Sequence, residues 1–175
     1  KYEEQIEGTA VGCVLGSSLH VRQIFINILG NAIKYTDAGG YVLCQVTIKA
    51  IGENLISCQT VISDNGIGMS TAFLPHLFEP FSRENTDKKS VTQGTGLGMS
   101  IVKHLIDKMD GTVTVESKKG VGTIFTVTLL FEGLKEQECK KIEEEDQNVD
   151  LSGMRVLLAE DNELNMEIVK FMLED

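Results

Sequence analysis

Three short glycine-containing segments, taken in their order, constrain this chain more than anything else in it. Arg22–Thr36 reads RQIFINILGNAIKYT, Ser63–Met69 reads SDNGIGM, and Gln93–Met99 reads QGTGLGM. Each segment alone has an ordinary explanation. Buried asparagines bond to backbone, Asp-Asn-Gly makes common turns, and a run of glycines makes a hinge. In this order they describe one pocket with an amide-bearing wall, a carboxylate at a tight turn and a flexible cover.

The chemistry of each wall follows from residue type and spacing. Asn27 and Asn31 are four apart and share a helix face. Amide oxygens are hard ligands which, with phosphate oxygens and water, suit Mg²⁺. Lys34 lies one turn beyond Asn31 and can reach a phosphate. Asp64 ends an apolar stretch and begins the turn Asn65-Gly66-Ile67-Gly68. A carboxylate there can accept a hydrogen bond from an exocyclic amine, and glycines let a flat ring approach the backbone. Gly94-Thr95-Gly96-Leu97-Gly98 leads directly into a helical pattern, where backbone N–H groups attract anions. It lacks the Gly-Lys-Ser/Thr ending of a P-loop. It also lacks the dinucleotide-binding spacing, and no strand leads into it.

The intervening segments predict an α/β domain. Residues 3–7 read as a short edge strand. Ser17 or Ser18 caps a helix that runs to about Tyr35, with Leu19, Ile24, Ile28 and Leu29 among its apolar positions. Tyr41–Ile51 and Leu55–Ser63 form an antiparallel hairpin around Gly52-Glu53-Asn54. Ser70–Leu77 reads as a short helix interrupted by Pro75, and Glu79–Gly96 as a long loop of the functional kind. Gly98–Met109 is a second helix stopped by Gly111. Thr112–Ser117 and Gly122–Phe131 form a second hairpin. The expected architecture is a two-layer α/β sandwich, with one layer of sheet and one of helix.

Charge separates this domain from the C-terminal residues. The 175 residues carry a net charge of −10, but residues 1–131 hold 11 Lys+Arg against 12 Asp+Glu, and residues 132–175 hold 5 against 14. The acidity belongs to the tail, and the balance argues against nucleic acid as a partner. Apolar runs are too short for a membrane span. No secretory leader is evident, and the polar N-terminus reads as a cut from a longer protein. Cys13, Cys44, Cys58 and Cys139 show no Cys-x-x-Cys pair; four reduced thiols are expected, which fits a cytoplasmic setting.

Together the segments resemble the N, G1 and G2 boxes of the ATP-binding domain of sensor histidine kinases, of the Bergerat or GHKL superfamily. Leu77-Phe78-Glu79-Pro80-Phe81 matches the F box. The resemblance covers residues 3–131, and it implies a Bergerat-type mixed sheet packed on helices. It makes Asn31 the main Mg²⁺ ligand with Asn27 assisting, and Asp64 the reader of the adenine amine of ATP or ADP. Gly66 and Gly68 line the adenine site. Lys34, Tyr35, Ile67, Met69, Phe78, Phe81, Gly94, Thr95, Gly96, Leu97 and Gly98 fall in the nucleotide-binding set, with Thr123 on the adenine side. Residues 79–96 would be the ATP lid, with Arg83 as a charge-neutralising group. Lys88 and Lys89 are either lid cations or a solvated pair.

Hydrolytic relatives place Glu where Asn27 stands. Glu can take a proton from attacking water, and a neutral amide cannot. A neutral imidazole attacks through its own lone pair and needs no such base. The resemblance thus implies transfer of the γ-phosphoryl group to a histidine, with Asn27, Asn31, Lys34 and Arg83 as catalytic residues. His20, His76 and His104 lack the family's acceptor context. The acceptor is therefore expected on a separate dimerisation and histidine phosphotransfer domain, and this chain should not phosphorylate itself. Two other readings stay open: a non-catalytic, ATP-dependent interaction module, and a serine kinase of the anti-sigma type.

Residues 132–152 read as an acidic linker. Residues 153–175 resemble the start of a response-regulator receiver domain: MRVLLAEDNELN supplies a strand, then the acidic pair Glu160 and Asp161, then a helix. The resemblance implies a hybrid kinase, possessing a receiver domain and cytoplasmic in its catalytic part, whether or not the parent is anchored in a membrane. A strand and helix without their sheet leave apolar faces uncovered. Residues 154–175 are therefore expected to dock on another surface or to join a neighbouring chain in an oligomer.

Overall fold

The computed structural model describes residues 2–8, 13–84, 95–134 and 166–167, the first of these as backbone. The chain divides into two compact units, residues 1–139 and 140–175. In the second, only Met166 and Glu167 are described, in helical conformation. The receiver-like strand, the acidic pair, residues 135–152 and the lid positions Lys88, Lys89 and Gly94 lie outside the described residues.

The first unit is a mixed sheet carrying two α-helices, the α/β class that the sequence predicts. Its elements are β1 (Tyr2–Gly8), β2 (Cys13–Leu15), α1 (Ser18–Tyr35), β3 (Val42–Ala50), β4 (Leu55–Asp64), a 3₁₀ turn (Leu74–His76), α2 (Gly98–Lys108), β5 (Thr112–Lys118) and β6 (Gly122–Leu134). The sheet order is β1-β3-β4-β6-β2, with β5 also paired to β6. β1 runs parallel to β3, and the other pairs are antiparallel. The β3–β4 and β5–β6 hairpins join through the long β4–β6 ladder.

Side-chain parity builds the core. On β6 the inward positions are Thr123, Phe125, Val127, Leu129 and Phe131, all buried. On β4, Ile56, Thr60, Ile62 and Asp64 share the buried parity. Helix α1 covers this face with Ile24, Ile28 and Ala32, and α2 adds Met99, Val102 and Ile106, each set at helical spacing. Ile24, Ile28, Val102, Ile106 and Val127 are fully buried. Each contributes about 1.5–3 kcal/mol by leaving water. Both inward series end at the same end of the β4–β6 ladder in a polar residue, Asp64 and Thr123, so the apolar core gives way there to a polar site.

Four expectations are corrected. Ser70–Leu77 is not an α-helix: turns around Ser70 lead into a 3₁₀ turn at Leu74–His76, with Pro75 in its first positions. β2 is absent from the sequence reading, because three residues carry no alternation to detect. β6 runs to Leu134, beyond the expected Phe131, because its last residues pair with β2. Cys13 is disulfide-bonded, whereas the sequence predicts four reduced thiols. Cys44 and Cys58 are reduced thiols as expected, and burial pushes the Cys58 thiol above its ordinary value. Among the described residues no helix is long and apolar enough to cross a membrane.

Candidate functional site

A cavity of about 320 Å³ opens where α1, the end of β4, the start of α2 and the start of β6 converge. Ligand pockets begin near that volume, at roughly 300 Å³. Of the residues chosen from sequence, Asn27, Asn31, Lys34, Tyr35, Asp64, Ile67, Gly68, Met69, Arg83, Thr95, Gly96, Gly98 and Thr123 line it. Gly66, Phe78, Phe81 and Leu97 do not.

Helix α1 carries the amide wall. Ser17 caps it, its hydroxyl accepting the His20 N–H at 3.3 Å. Ile24, Ile28 and Ala32 anchor one face in the core, which turns Asn27 and Asn31 toward the cavity. The Asn27 amide NH₂ donates to the Gln23 carbonyl at 2.9 Å. Its oxygen is thereby left as the group directed away from the helix backbone, lying beside Gly98 at the head of α2. Two amide oxygens are donors suited to Mg²⁺ in company with phosphate oxygens. Among the described residues no group of three His, Cys, Asp or Glu side chains could hold a metal. Lys34 lies over the Tyr35 ring, 5.1 Å from its centre.

At the other end stands Asp64. Its Oδ1 accepts the Gly66 N–H at 2.8 Å, and the Thr123 backbone also contacts the carboxyl. Burial raises its pKa above the ordinary value, and these two backbone donors oppose the rise. Gly66 thus acts on the site through the carboxylate it orients. It has a second role: a Cβ at Gly66 would strike the Tyr35 carbonyl oxygen. Gly68 adopts φ +59, and a Cβ there would collide with the Lys118 carbonyl oxygen. The glycines therefore fit β4, the end of α1 and the β5–β6 turn closely together.

The loop residues arrange the cavity mouth. Phe81 has φ 62 and is 72% exposed, and its N–H donates to the Gly96 carbonyl at 3.0 Å. Residues 81 and 96 are therefore held side by side at the cavity. Phe78 packs against the core, and Leu97 is the N-cap residue that precedes α2. Sequence reasoning missed Glu84, whose carboxylate accepts the Ser70 N–H at 3.3 Å and stands 4.0 Å from Lys119 Nζ. It also missed the apolar walls Phe73, Leu77, Met99 and Phe125. The parity of β6 that reaches Thr123 was a signal for Phe125; nothing local marks Glu84. His76 pairs with Glu79 at 3.0 Å on the surface and takes no part in the cavity.

Residues 16–133 match the family model of histidine kinase-, DNA gyrase B- and HSP90-like ATPases. The chain is 34% identical over 176 residues to the autoinducer 2 sensor kinase/phosphatase LuxQ of Vibrio parahaemolyticus, covering 96% of this chain and 20% of that protein. It is 36% identical over 144 residues to the sensor histidine kinase RcsC of Escherichia coli, covering 82% of this chain and 14% of that protein. The chain thus spans a fifth or less of these relatives. Among solved structures, the mycobacterial sensor histidine kinase MprB superposes with TM-score 0.57 at 27% identity, over 76% of this chain and 84% of that one. Full-length ShkA in complex with AMPPNP gives TM-score 0.57 at 30% identity, over 76% of this chain and 26% of that one. The chain belongs to the histidine kinase-, DNA gyrase B- and HSP90-like ATPase family, and its fold is the ATP-binding catalytic domain of that family.

Proposed function

We propose that this domain seats ATP with the adenine against Asp64 and the triphosphate along Asn27, Asn31 and Lys34. From there it passes the γ-phosphoryl group to a histidine on a separate helical domain of the parent protein. The carrying observation is one cavity lined by the buried acceptor Asp64 together with two amides and the cations Lys34 and Arg83.

Mg²⁺ fits the donor set at Asn31 and Asn27, where it would neutralise charge on the phosphates. The protein's own residues do the rest. Asp64 and the glycine turn orient the base, while Lys34 and Arg83 carry positive charge to the phosphate end. Asn27 offers no group able to deprotonate water, which favours an acceptor that is already a nucleophile. An imidazole is such an acceptor.

The sensor-kinase identity of the relatives supports the same reading, with a dimerisation and histidine phosphotransfer domain as the partner. The match to LuxQ runs over 96% of this chain and so extends into the tail, in keeping with a receiver domain that begins there. A cytoplasmic setting, with or without a membrane-anchored parent, follows from the supply of ATP. The test is to mix this chain with a separately made acceptor domain and labelled ATP. Acid-labile label on the acceptor is expected. Acid-stable label, or none, would overturn the transfer to histidine.

A further inference from the structure

Ser117 does not line the cavity, yet its hydroxyl ties together three parts of the base end. Its Oγ accepts the Met69 N–H at 2.8 Å, donates to the Gly122 carbonyl at 2.9 Å, and lies 2.9 Å from Thr123 Oγ1. Met69 belongs to the glycine turn and Thr123 lines the cavity beside Asp64.

The protons in this cluster can be counted. A serine hydroxyl has one proton and two lone pairs. Gly122 O can only accept, so the Ser117 proton goes there. The Met69 N–H occupies one lone pair. The contact with Thr123 is then a hydrogen bond only if Thr123 donates its own proton into the remaining lone pair. Every position on Ser117 Oγ is filled by this arrangement. It leaves Thr123 with lone pairs alone for the cavity.

We infer that Ser117 is a positioning residue that makes Thr123 an obligate acceptor, and that it thereby sets the choice of base. The inference rests on the adenine reading of Asp64. With Thr123 so fixed, the base end presents two acceptors side by side, a carboxylate and a hydroxyl oxygen. A 6-aminopurine offers two N–H hydrogens at one nitrogen and suits both. A 6-oxopurine puts an acceptor oxygen against them and leaves polar groups unpaired, the costly situation on which strong discrimination is built. Without the Ser117 hydroxyl, Thr123 regains its proton and can turn it toward a 6-oxo group.

Calorimetry on the whole chain with ATP and with inosine triphosphate tests this. Ser117→Thr and Ser117→Val share a shape and differ by the hydroxyl. The wild type should prefer ATP, Ser117→Thr should keep the ratio of affinities, and Ser117→Val should narrow it about fivefold to tenfold. If Val proves too bulky for the strand, Ser117→Ala deletes the same hydroxyl and should narrow the ratio likewise. A purely structural role would weaken both nucleotides together and leave the ratio unchanged, which would overturn the inference. Asp64→Asn separates the two levels. Loss of ATP binding there with an unchanged ratio in Ser117→Val sinks this inference alone. ATP binding unaffected by Asp64→Asn sinks the adenine reading and the inference with it.

Discussion

Asp64, the last residue of β4, is paired in register with Thr123, the second residue of β6, and both side chains are buried. The pairing places an acid and a hydroxyl at the end of two inward-facing series that are otherwise almost wholly apolar. The domain's hydrophobic core and its polar site are thus the same ladder, read along its length.

Asp64→Asn should abolish detectable ATP binding while the protein stays folded. The substitution keeps the shape but presents a donor where an exocyclic amine also donates. Calorimetry checks the affinity, and circular dichroism checks the fold. Retained affinity would contradict the assignment of the base end.

The same residue carries a pH dependence of stability. Its folded pKa is raised above the ordinary value of 3.8, chiefly by burial, so the folded state holds that proton more tightly than the unfolded chain. The stability it contributes is complete below 3.8 and declines as pH rises from there through the folded value. The difference in melting temperature, wild type minus Asp64→Asn, should therefore be largest near about pH 3.5 and shrink toward about pH 7. A difference that grows with pH would show the carboxylate to be stabilised by its surroundings.

Asn31→Ala should slow Mg²⁺-dependent phosphoryl transfer on the order of a hundredfold or more, by analogy with loss of one oriented polar group at a reacting centre. The loss of ADP affinity in the absence of added metal should be much smaller. Transfer assays over a Mg²⁺ titration, set beside calorimetry with ADP, separate the two. Equal losses would place Asn31 in general binding.

Two glycines should respond oppositely to alanine. Gly68 has φ +59 and a carbonyl oxygen where the methyl would go, so Gly68→Ala should cost more than about 2 kcal/mol. Gly30 lies inside α1 with nothing within 4 Å of the added carbon, so Gly30→Ala should stabilise by about 0.5–1 kcal/mol. Urea titrations of both variants give the signs directly.

Much of this site is legible in the sequence alone, because its chemistry is concentrated in short stretches. Asn27 and Asn31 reach one face through helical spacing, and Asp64 announces itself by ending an apolar strand in an acid-glycine turn. What escapes is what depends on distant pairing. Ser117 meets Met69 across 48 positions of sequence, and Glu84 meets Ser70 across 14. Neither carries a local pattern. β2 and the last residues of β6 define one another, so neither is visible alone. Phe78 and Phe81 fall in the expected motif, yet one packs into the core and the other points to solvent. A motif fixes neighbourhood, while burial is decided by the whole sheet.

The most direct measurement is a crystal structure of this domain with Mg²⁺ and a nonhydrolysable ATP analogue. The account predicts the adenine amine about 3 Å from an Asp64 carboxylate oxygen, with the cation between the phosphates and the Asn31 amide. A purine bound elsewhere, or inverted with its phosphates toward Asp64, would contradict it.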